Sequence, residues 1–339
     1  GRAATAALTC CIGLIKQGLV QDPALRWVGE LERIELGFTP ALLSRVPMTQ
    51  PLLMRPDDQA LAHWPKPEPA AGKYGRGRLL VVAGSDAYRG AALLCLKGAS
   101  ASGCGSLRAA VPQAVAEQLW QTLPHVVVSA GLPSSTSGGL NIAALTPNAL
   151  ARLDAVVLGP GLGTDPNPTG HDERIWAALQ QAPGLLLLDA DGLNRLAHRD
   201  DSSTWLQQRH GPTWITPHAG EFARLFPDLA DHQPLEAATA AAARSNCGVL
   251  LKGARSVIAA PDGRCWQLGW AEPTAARAGL GDVLAGYAAG RGAMAVATGT
   301  QADPQLLAAA ALDHAIAGAG GGTPMAVARA LHHVSAQDA

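Results

Sequence analysis

The chain has 339 residues, of which 48% are hydrophobic and 16% are charged, and its formal net charge is −1. This composition is typical of a folded chain with a sizeable core rather than of a disordered one. So small a net charge excludes strong long-range attraction to nucleic acid or to an anionic membrane, so any anion must bind at a local site. Aromatic residues are only 4% of the total, which argues against a surface that stacks nucleic-acid bases.

The six cysteines indicate a reducing compartment. They form no CxxC pair and have no zinc-ligand spacing with histidines, so we interpret them as small buried residues. The sequence contains no recognisable signal peptide and no apolar run long enough to span a bilayer. We therefore expect a cytoplasmic protein that binds neither nucleic acid nor membrane.

The first 46 residues are predicted to contain two short strands, at residues 7–15 and 31–36. A segment of this length is too short to bury a core of its own. The chain also begins inside the first strand, without a methionine, so we expect residues 1–46 to be the C-terminal remnant of another domain. Residues 47–72 are expected to be a linker, because their closely spaced prolines break any helix or central strand.

From residue 73 onward, short apolar runs alternate with helical stretches. Strands buried on both faces are predicted at residues 79–83, 107–111, 126–129, 155–158, 185–188, 214–215 and 249–251. Helices are predicted at residues 90–102, 113–121, 173–181, 220–226 and 236–245. A hairpin around Pro261-Asp262-Gly263 and two Ala-rich helices, near residues 282–293 and 304–317, are expected to follow. This order predicts an α/β fold with a mostly parallel central sheet and helices on both faces.

The sequence Gly279-Leu280-Gly281-Asp282 is the strongest functional motif. Glycines directly before a helix allow a phosphate to approach the backbone amides, and the helix dipole favours its negative charge. An aspartate in the first helical turn can accept the proton of an attacking hydroxyl, which makes Asp282 the candidate catalytic base. Taken alone, the motif favours a simple glycine turn before a helix, because short glycine motifs often occur without a ligand.

Polar residues follow several of the predicted strands, where α/β proteins bind ligands. Lys252, followed by Gly253, could face a nucleotide phosphate or could be a solvated strand end. His218 could hydrogen-bond a ligand or begin the next helix. Asp189 and Asp191 could bind magnesium or stabilise a turn; we favour the turn for Asp191 and leave Asp189 open.

Two further glycine clusters lie at predicted strand ends, Gly84-Ser85 and Gly159-Pro160-Gly161-Leu162-Gly163. The first is not a Walker A loop, because no Gly-Lys-Ser/Thr follows its glycine, and the second could be a tight turn after a strand with no ligand. The sequence also lacks a GxSxG elbow and a local Cys–His signature, which argues against covalent acyl chemistry.

In their order along the chain, these motifs resemble the NAD(P)H-hydrate dehydratase family, which has a ribokinase-like fold. The resemblance is carried by Gly84-Ser85 with Tyr88 and Gly90-Ala91, by residues 159–163, by Asp189-Ala190-Asp191, by Thr216-Pro217-His218 with Glu221, by Lys252-Gly253, and by Gly281-Asp282-Val283-Leu284-Ala285-Gly286. It implies a dehydratase domain at residues 73–336. The first segment, with Lys16-Gln17-Gly18-Leu19 and Ile34-Glu35-Leu36-Gly37, is similar to the end of an NAD(P)H-hydrate epimerase domain, so we expect this chain to lack epimerase activity.

The resemblance implies a three-layer α/β sandwich and an ADP-dependent hydro-lyase. With ADP (or ATP) and Mg²⁺, such an enzyme phosphorylates the ring hydroxyl of the S form of hydrated NADH or NADPH, and loss of phosphate gives NAD(P)H and AMP. Asp282 would be the catalytic base and a substrate contact. The other residues implied to contact the hydrated dinucleotide are Ala91, Gly161 and His218, and those implied to hold the nucleotide are Lys252, Gly253, Ala254, Arg255, Ser256 and Gly281. Relatives are often homotetramers, so a homo-oligomer is expected.

The sequence departs from the family at Leu280, where many members carry a threonine or serine. The run from Glu272 to Arg277 also lacks the Asn-Pro-Gly-Met-Ala sequence of many relatives, and Arg277 could supply charge in its place. The alternative function is that of a ribokinase-like kinase of a vitamin-precursor alcohol, whose product would be a stable phosphate ester. A nucleotide-binding module without catalysis is disfavoured by the intact Asp282.

Overall fold

The computed structural model describes residues 3–47, 49–56, 64, 68, 71–135, 137–150, 152–163, 172–270 and 276–337. Its strands are β1 (Leu8–Ile12), β2 (Glu30–Ile34), β3 (Leu52–Met54), β4 (Arg78–Val82), β5 (Ser106–Pro112), β6 (Val127–Leu132), β7 (Ala155–Leu158), β8 (Leu185–Leu188), β9 (Thr213–Ile215), β10 (Gly248–Leu251), β11 (Val257–Ala259) and β12 (Cys265–Leu268). Its α-helices are α1 (Leu25–Val28), α2 (Pro40–Leu43), α3 (Arg89–Ala101), α4 (Gln113–Ala116), α5 (Leu119–Thr122), α6 (Glu173–Gln181), α7 (Ala190–Ala197), α8 (Ser202–Gln207), α9 (Ala219–Leu225), α10 (Pro234–Ser245), α11 (Leu280–Ala297), α12 (Pro304–Gly318) and α13 (Pro324–Gln337). Within these residues, none of the helices combines the length and the apolar character that a membrane span requires.

Ten of the described strands form one sheet, in the order β3-β12-β11-β10-β9-β8-β7-β4-β5-β6. Neighbouring strands are parallel, except that β11 runs antiparallel to both β10 and β12. Every residue of β7 and β8 is buried, as is typical of strands covered by helices on both faces. The predicted mostly parallel α/β sheet and the hairpin after β10 are confirmed.

Successive residues of a strand point into two separate cores. Leu79 and Val81 of β4 pack into a core that also contains residues of α3, α11, α12 and α13. Leu80 and Val82 pack into the opposite core, with residues of α6, α7, α9 and α10. The helices α3 and α11 approach so closely that a Cβ atom on Gly286 would lie 1.9 Å from the carbonyl oxygen of Cys95. The result is the expected three-layer sandwich.

The order of the strands reverses at β4, which pairs with β5 on one side and with β7 on the other. The chain first builds outward through β5 and β6 and then, from β7 to β10, builds in the other direction. The carboxyl ends of parallel strands beside such a switch form the usual ligand crevice of open α/β sheets. The loops after β4, β7, β8, β9 and β10 therefore meet at one edge.

Outside this domain, β1 and β2 pair in parallel as a separate two-stranded sheet, so both predicted N-terminal strands are confirmed. Within the segment predicted as a linker, Leu52–Met54 forms β3, which pairs with β12 at the edge of the main sheet. Pro51 and Pro56 flank this strand rather than interrupt it, and an edge position tolerates nearby prolines. The main sheet thus begins earlier in the chain than predicted.

Two other differences concern helices. Residues 113–121, predicted as one helix, form α4 and α5, because the Gln118 amide bonds to the carbonyl of Val115, only three residues back. The helices α1, α2, α7, α8 and α13 lie outside the predicted helical ranges. The glycine-rich run at residues 318–322 directly precedes α13 and gives no sign of a further helix.

Candidate active site

The predicted catalytic residue Asp282 lies in the first turn of α11. This helix begins at Leu280, with Gly279 as its N-cap residue at φ +93°. The amide N–H groups of a first helical turn have no acceptor within the helix, so they can bind an anion placed there. The structure therefore joins the two features that the motif predicts, a helix N-terminus and a carboxylate beside it.

The carboxyl group of Asp282 has a raised pKa. Burial, reinforced by the negative charge of Asp189, raises the pKa of Asp282 to about 6. Lys252 acts in the opposite direction but does not cancel the effect. A carboxylate with this pKa is mostly ionised at pH 7 and is a stronger base than an ordinary aspartate, so it suits general-base chemistry on a hydroxyl.

Lys252, which follows β10, connects this helix start to the neighbouring strand ends. Its Nζ donates to Asp189 Oδ1 at 2.6 Å and lies 3.9 Å from Glu221 Oε2. A Cβ atom on Gly281 would lie 3.5 Å from the same Nζ, so the ammonium group is adjacent to the first turn of α11. Burial by itself lowers the pKa of Lys252, but the Asp189 and Glu221 carboxylates outweigh it and raise the pKa above its ordinary value. Lys252 is thus a fixed positive charge beside the N-terminus of α11.

His218, predicted to contact substrate, is the N-cap residue of α9. Its Nδ1 accepts from the amides of Gly220 and Glu221, at 2.9 and 3.3 Å, and the Glu221 carboxylate accepts in return from the His218 amide at 2.8 Å. Since Nδ1 accepts, the proton belongs on Nε2, which lies 3.1 Å from Glu221 Oε1. The side chain remains half exposed. The capping role is therefore directly visible, and the predicted substrate contact stays a prediction.

Ala91 and Gly161, also predicted to contact substrate, lie against each other. Gly161 has φ +62°, and a Cβ atom there would come within 2.5 Å of the Ala91 Cβ and 2.8 Å of the Tyr88 Cβ. Only glycine fits this conformation and this spacing without strain. The loop after β7 is therefore packed onto the start of α3.

Side chains of α7 hydrogen-bond to the backbone of this glycine loop, residues 159–163. Asp191 Oδ2 accepts from the Gly163 amide at 2.8 Å, which agrees with the turn-stabilising role favoured for Asp191. The buried Arg195 guanidinium donates to the carbonyl oxygens of Leu140, Leu162 and Gly163. These bonds fix the backbone that faces the crevice.

The helix α3 also lies close to the acidic residues. Burial raises the pKa of the Cys95 thiol well above its ordinary value, and the negative charges of Asp282 and Asp189 add to this effect. The thiol therefore stays protonated and unreactive at neutral pH. A Cβ atom on Gly98 would lie 2.1 Å from the carbonyl oxygen of Val283, so α3, which carries Ala91, packs against the first turn of α11.

The predicted nucleotide residues Lys252, Gly253, Ala254, Arg255 and Ser256 form one loop between β10 and β11. The Ser256 hydroxyl lies 3.3 Å from both the amide and the carbonyl oxygen of Gly253, which closes the loop on itself. Lys252 points toward Asp189 and α11, whereas Arg255 is buried and donates to the carbonyl of Leu19 in the N-terminal segment. The loop is thus next to Gly281 through Lys252, while Arg255 has a partner that the sequence did not predict.

The departures from the family pattern have local explanations. Leu280 is buried in the core, and its carbonyl accepts a hydrogen bond from the His314 ring, whose pKa burial lowers to about 4. Arg277 donates to the carbonyl of Gly322 at 2.9 Å, so its guanidinium is engaged with the loop before α13. Residues 272–275 lie outside the described residues.

Asp189 and Glu221 also belong to this site, although the sequence alone gives neither of them a definite role. Both follow buried strands, and this is the signal that could have identified them. Burial raises the pKa of Glu221, while Lys252 opposes the rise. The described site therefore brings together Asp189, Glu221, Lys252 and Asp282 from four different strand ends or helix starts.

Comparison with known proteins identifies a family. The family model of NAD(P)H-hydrate dehydratase matches residues 79–335. The chain is 43% identical over 290 residues to the bifunctional NAD(P)H-hydrate repair enzyme Nnr of Gloeobacter violaceus, and 40% identical over 292 residues to that of Synechocystis sp.. These matches cover 84% and 86% of this chain, and 55% and 54% of the two relatives. The chain thus spans about half the length of the curated relatives it matches.

Solved structures show the same fold. A ribokinase-like superfamily protein from Enterococcus faecalis has a TM-score of 0.66 at 21% identity, with 86% of this chain and 94% of that chain covered. The ADP/ATP-dependent NAD(P)H-hydrate dehydratase from Bacillus subtilis, co-crystallized with ATP/Mg²⁺, has a TM-score of 0.65 at 24% identity, with 86% and 99% covered. The ribokinase-like fold predicted from the motifs is confirmed. With its family match over most of its length and curated relatives at 40% identity or more, the chain belongs to the NAD(P)H-hydrate dehydratase family.

Proposed function

We propose that this chain uses ADP or ATP to dehydrate the S form of hydrated NADH or NADPH. The observation that carries the proposal is the position of Asp282, a half-buried carboxyl with a pKa of about 6 in the first turn of α11, beside the Lys252 ammonium group. A base and an anion site at one helix start are what the transfer of a phosphoryl group to an alcohol requires.

In the proposed reaction, Asp282 accepts the proton of the ring hydroxyl while the hydroxyl oxygen attacks the terminal phosphoryl group of the nucleotide. The first-turn amides of α11, at Gly281, and the Lys252 charge stabilise the phosphoryl oxygens. The carbon–oxygen bond of the phosphorylated ring then breaks. Phosphate leaves with the bonding electrons, and loss of a ring proton restores the double bond. With ADP, the products are NAD(P)H, AMP and phosphate.

The remaining residues are proposed to bind the two substrates. Gly253, Ala254 and Ser256 offer a compact loop for the nucleotide. The tight contact between Gly161 and Ala91 would form part of the surface that binds the hydrated dinucleotide, and the half-exposed His218 ring would contact it as well.

Magnesium belongs to the proposal as a partner of the nucleotide phosphates. The described residues contain no group of three or more His, Cys, Asp or Glu side chains able to hold a metal ion. Magnesium in nucleotide sites is usually held by one or two carboxylates, phosphates and water. Asp189 fits this arrangement because its Oδ2 lies 4.0 Å from where a Cβ atom on Gly281 would be, beside the start of α11. The bound ion would neutralise charge on the transferred phosphoryl group.

The proposed base sets the pH dependence. Only the ionised form of Asp282 can accept the hydroxyl proton, and its pKa is about 6. We therefore expect kcat/KM to fall about tenfold for each pH unit below that value and to level off above it.

The division of the chain is also part of the proposal. Residues 73–336 would form the dehydratase domain, and residues 1–46 would belong to an epimerase-class domain, with a short connection between them. The separate β1–β2 sheet supports this division, since it does not join the main sheet. A homo-oligomer is proposed from the resemblance alone.

The test is to incubate the protein with the S form of NADH hydrate, Mg²⁺ and either ADP or ATP, and to follow the return of NADH absorbance at the same time as the nucleotide products. Recovery of NADH with one AMP formed from ADP for each NADH recovered supports the dehydratase. Accumulation of a phosphorylated alcohol from a thiazole or pyrimidine substrate, without recovery of NADH from the hydrate, would instead support the kinase alternative.

A further inference from the structure

The N-terminal segment makes buried polar contacts with the main sheet near the nucleotide loop. Gln267 of β12 is 1% exposed, so its amide needs partners inside the protein. Its Nε2 donates to the carbonyl of Val20, and its Oε1 accepts from Gln21 Nε2, both at 3.1 Å. Val20 is itself only 3% exposed. Because both halves of this buried amide depend on the segment, the segment is part of the folded domain surface and not a loose tail.

The neighbouring residues of the segment face Arg255 of the nucleotide loop. Arg255 is 9% exposed, and its Nη1 donates to the carbonyl of Leu19 at 3.4 Å. Asp22 supplies the nearby negative charge: burial lowers the pKa of Arg255, and Asp22 counteracts part of that change. A buried guanidinium is costly unless such groups hold it in place.

The two cationic side chains of the loop therefore attach it to two different parts of the protein. Lys252, at one end, is held by Asp189 within the site. Arg255, at the other end, is held by the N-terminal segment. Asp22 also reaches the backbone between them, because its Oδ2 lies 3.7 Å from where a Cβ atom on Gly253 would be.

We propose that residues 17–24 are a positioning element of the nucleotide loop: the Leu19 carbonyl holds Arg255, the Asp22 carboxylate lies beside Gly253, Gln267 anchors the segment, and the loop backbone is thereby set in place for an adenine nucleotide. Its ligand rests on the proposed function. In this assignment Arg255 and Asp22 act through the loop and do not touch the nucleotide.

The charges make a specific prediction about the pair. If Arg255 is removed, the negative charge of Asp22 loses the opposing charge of Arg255 and remains beside a loop that has to accept phosphates. The loss of Arg255 should therefore weaken nucleotide binding for two reasons. The loop is no longer held in place, and the negative charge of Asp22 repels the phosphates. Removing the Asp22 charge as well should restore part of the affinity.

The experiment is a double-mutant cycle on the full chain, with the Kd for ADP in the presence of Mg²⁺ measured by calorimetry. We expect Arg255→Ala to raise Kd about tenfold and Asp22→Asn about threefold. The double variant should bind at least about threefold more tightly than the product of the two effects predicts. In steady-state assays the KM for ADP should rise while kcat changes by less than about twofold, since the base and the anion site are intact.

Independent effects of the two substitutions would overturn the proposal, because a direct contact between Arg255 and the nucleotide does not depend on the charge at residue 22. An unchanged Kd in both single variants would overturn it as well. Asp228→Asn is the matched control. It removes an equivalent carboxylate from the exposed Asp228–Arg244 pair, and it should leave the Kd for ADP unchanged.

Failure of the proposed function can be distinguished from failure of this inference. If the wild-type chain binds no adenine nucleotide, the proposed function fails, and the positioning role is then read from hydrogen exchange at residues 253–256. The volume-conserving variant Gln267→Met should speed exchange of these amides by about threefold or more without global unfolding. Unchanged protection in Gln267→Met and in Asp22→Asn would overturn the inference.

Discussion

Parallel strands occur in two regions of this molecule, and their surroundings differ. In the main sheet, every residue of β7 and β8 is buried between two helical layers. In the N-terminal sheet, β1 and β2 pair just as regularly, yet Leu8, Ile12 and Ile34 are exposed. Strand pairing alone therefore does not create a core.

The two regions are stabilised by different interactions. The main domain is stabilised by apolar area buried on both faces of its sheet, which scales with the surface removed from water. The N-terminal segment buries little and is held at Val20 and Gln21 by hydrogen bonds to one buried glutamine. The large core of the main domain can offset the cost of strained loops and buried charges. The N-terminal segment depends on its contacts with the main domain for its position.

The chemistry should lie entirely in the main domain, and this gives the largest expected effect. Asp282→Asn should lower kcat by about 10²- to 10⁴-fold, because the amide cannot accept the hydroxyl proton. The Kd for ADP should change little. Glu32→Gln, which removes an exposed carboxylate from β2, should leave kcat unchanged. A turnover of Asp282→Asn close to that of the wild type would show that another group is the base.

Replacing a strand leucine by alanine should lower the free energy of unfolding more in the main sheet than in the N-terminal sheet. Leu187→Ala in β8 creates a cavity at a fully buried position and should lower the free energy of unfolding by about 2–5 kcal/mol. Leu8→Ala in β1 removes a side chain that is 47% exposed and should cost less than about 1 kcal/mol. Urea denaturation of both variants measures the contrast, and equal losses would contradict it.

Two glycines with similar backbone angles should respond differently to alanine. At Gly161 (φ +62°) the added Cβ would clash with Ala91, whereas at Gly37 (φ +68°) no atom lies within 4 Å of it. Gly161→Ala should cost about 1–3 kcal/mol of stability and raise the KM for the hydrate, and Gly37→Ala should cost only the backbone strain, about 1 kcal/mol. If Gly161→Ala left KM unchanged, the glycine loop would not be part of the substrate site.

The smallest expected effect is a pH-dependent gain in stability for Asp282→Asn. A carboxyl whose pKa is raised on folding favours the protonated form, so its ionisation destabilises the folded state as pH rises. The variant should be more stable than the wild type by on the order of 1 kcal/mol above about pH 6, after allowance for partial solvent exposure. The gain should fade as the pH falls toward 4. Thermal unfolding at pH 5 and pH 8 would show it, and a constant difference would contradict the raised pKa.

Much of the main domain could be predicted from the sequence because its signals are local. The bounds of β7, β8 and α6 agree with the predicted ranges to the residue, since an apolar run bounded by glycine, proline or aspartate leaves little freedom. Asp282 at a helix start could also be predicted, because glycines and an acidic first turn are short-range features. The edge strand β3 was not predicted, because three residues between prolines are too few to show a hydrophobic periodicity.

The sequence by itself determined the α/β alternation, the strand-end position of Lys252 and the helix start at Asp282. Only the tertiary structure decided that Lys252 meets Asp189, which lies 63 residues away along the chain, and that Arg255 faces the N-terminal segment. The physical reason is that backbone conformation follows from neighbouring residues, whereas the partner of a charged side chain depends on which strand ends the sheet order brings to one edge.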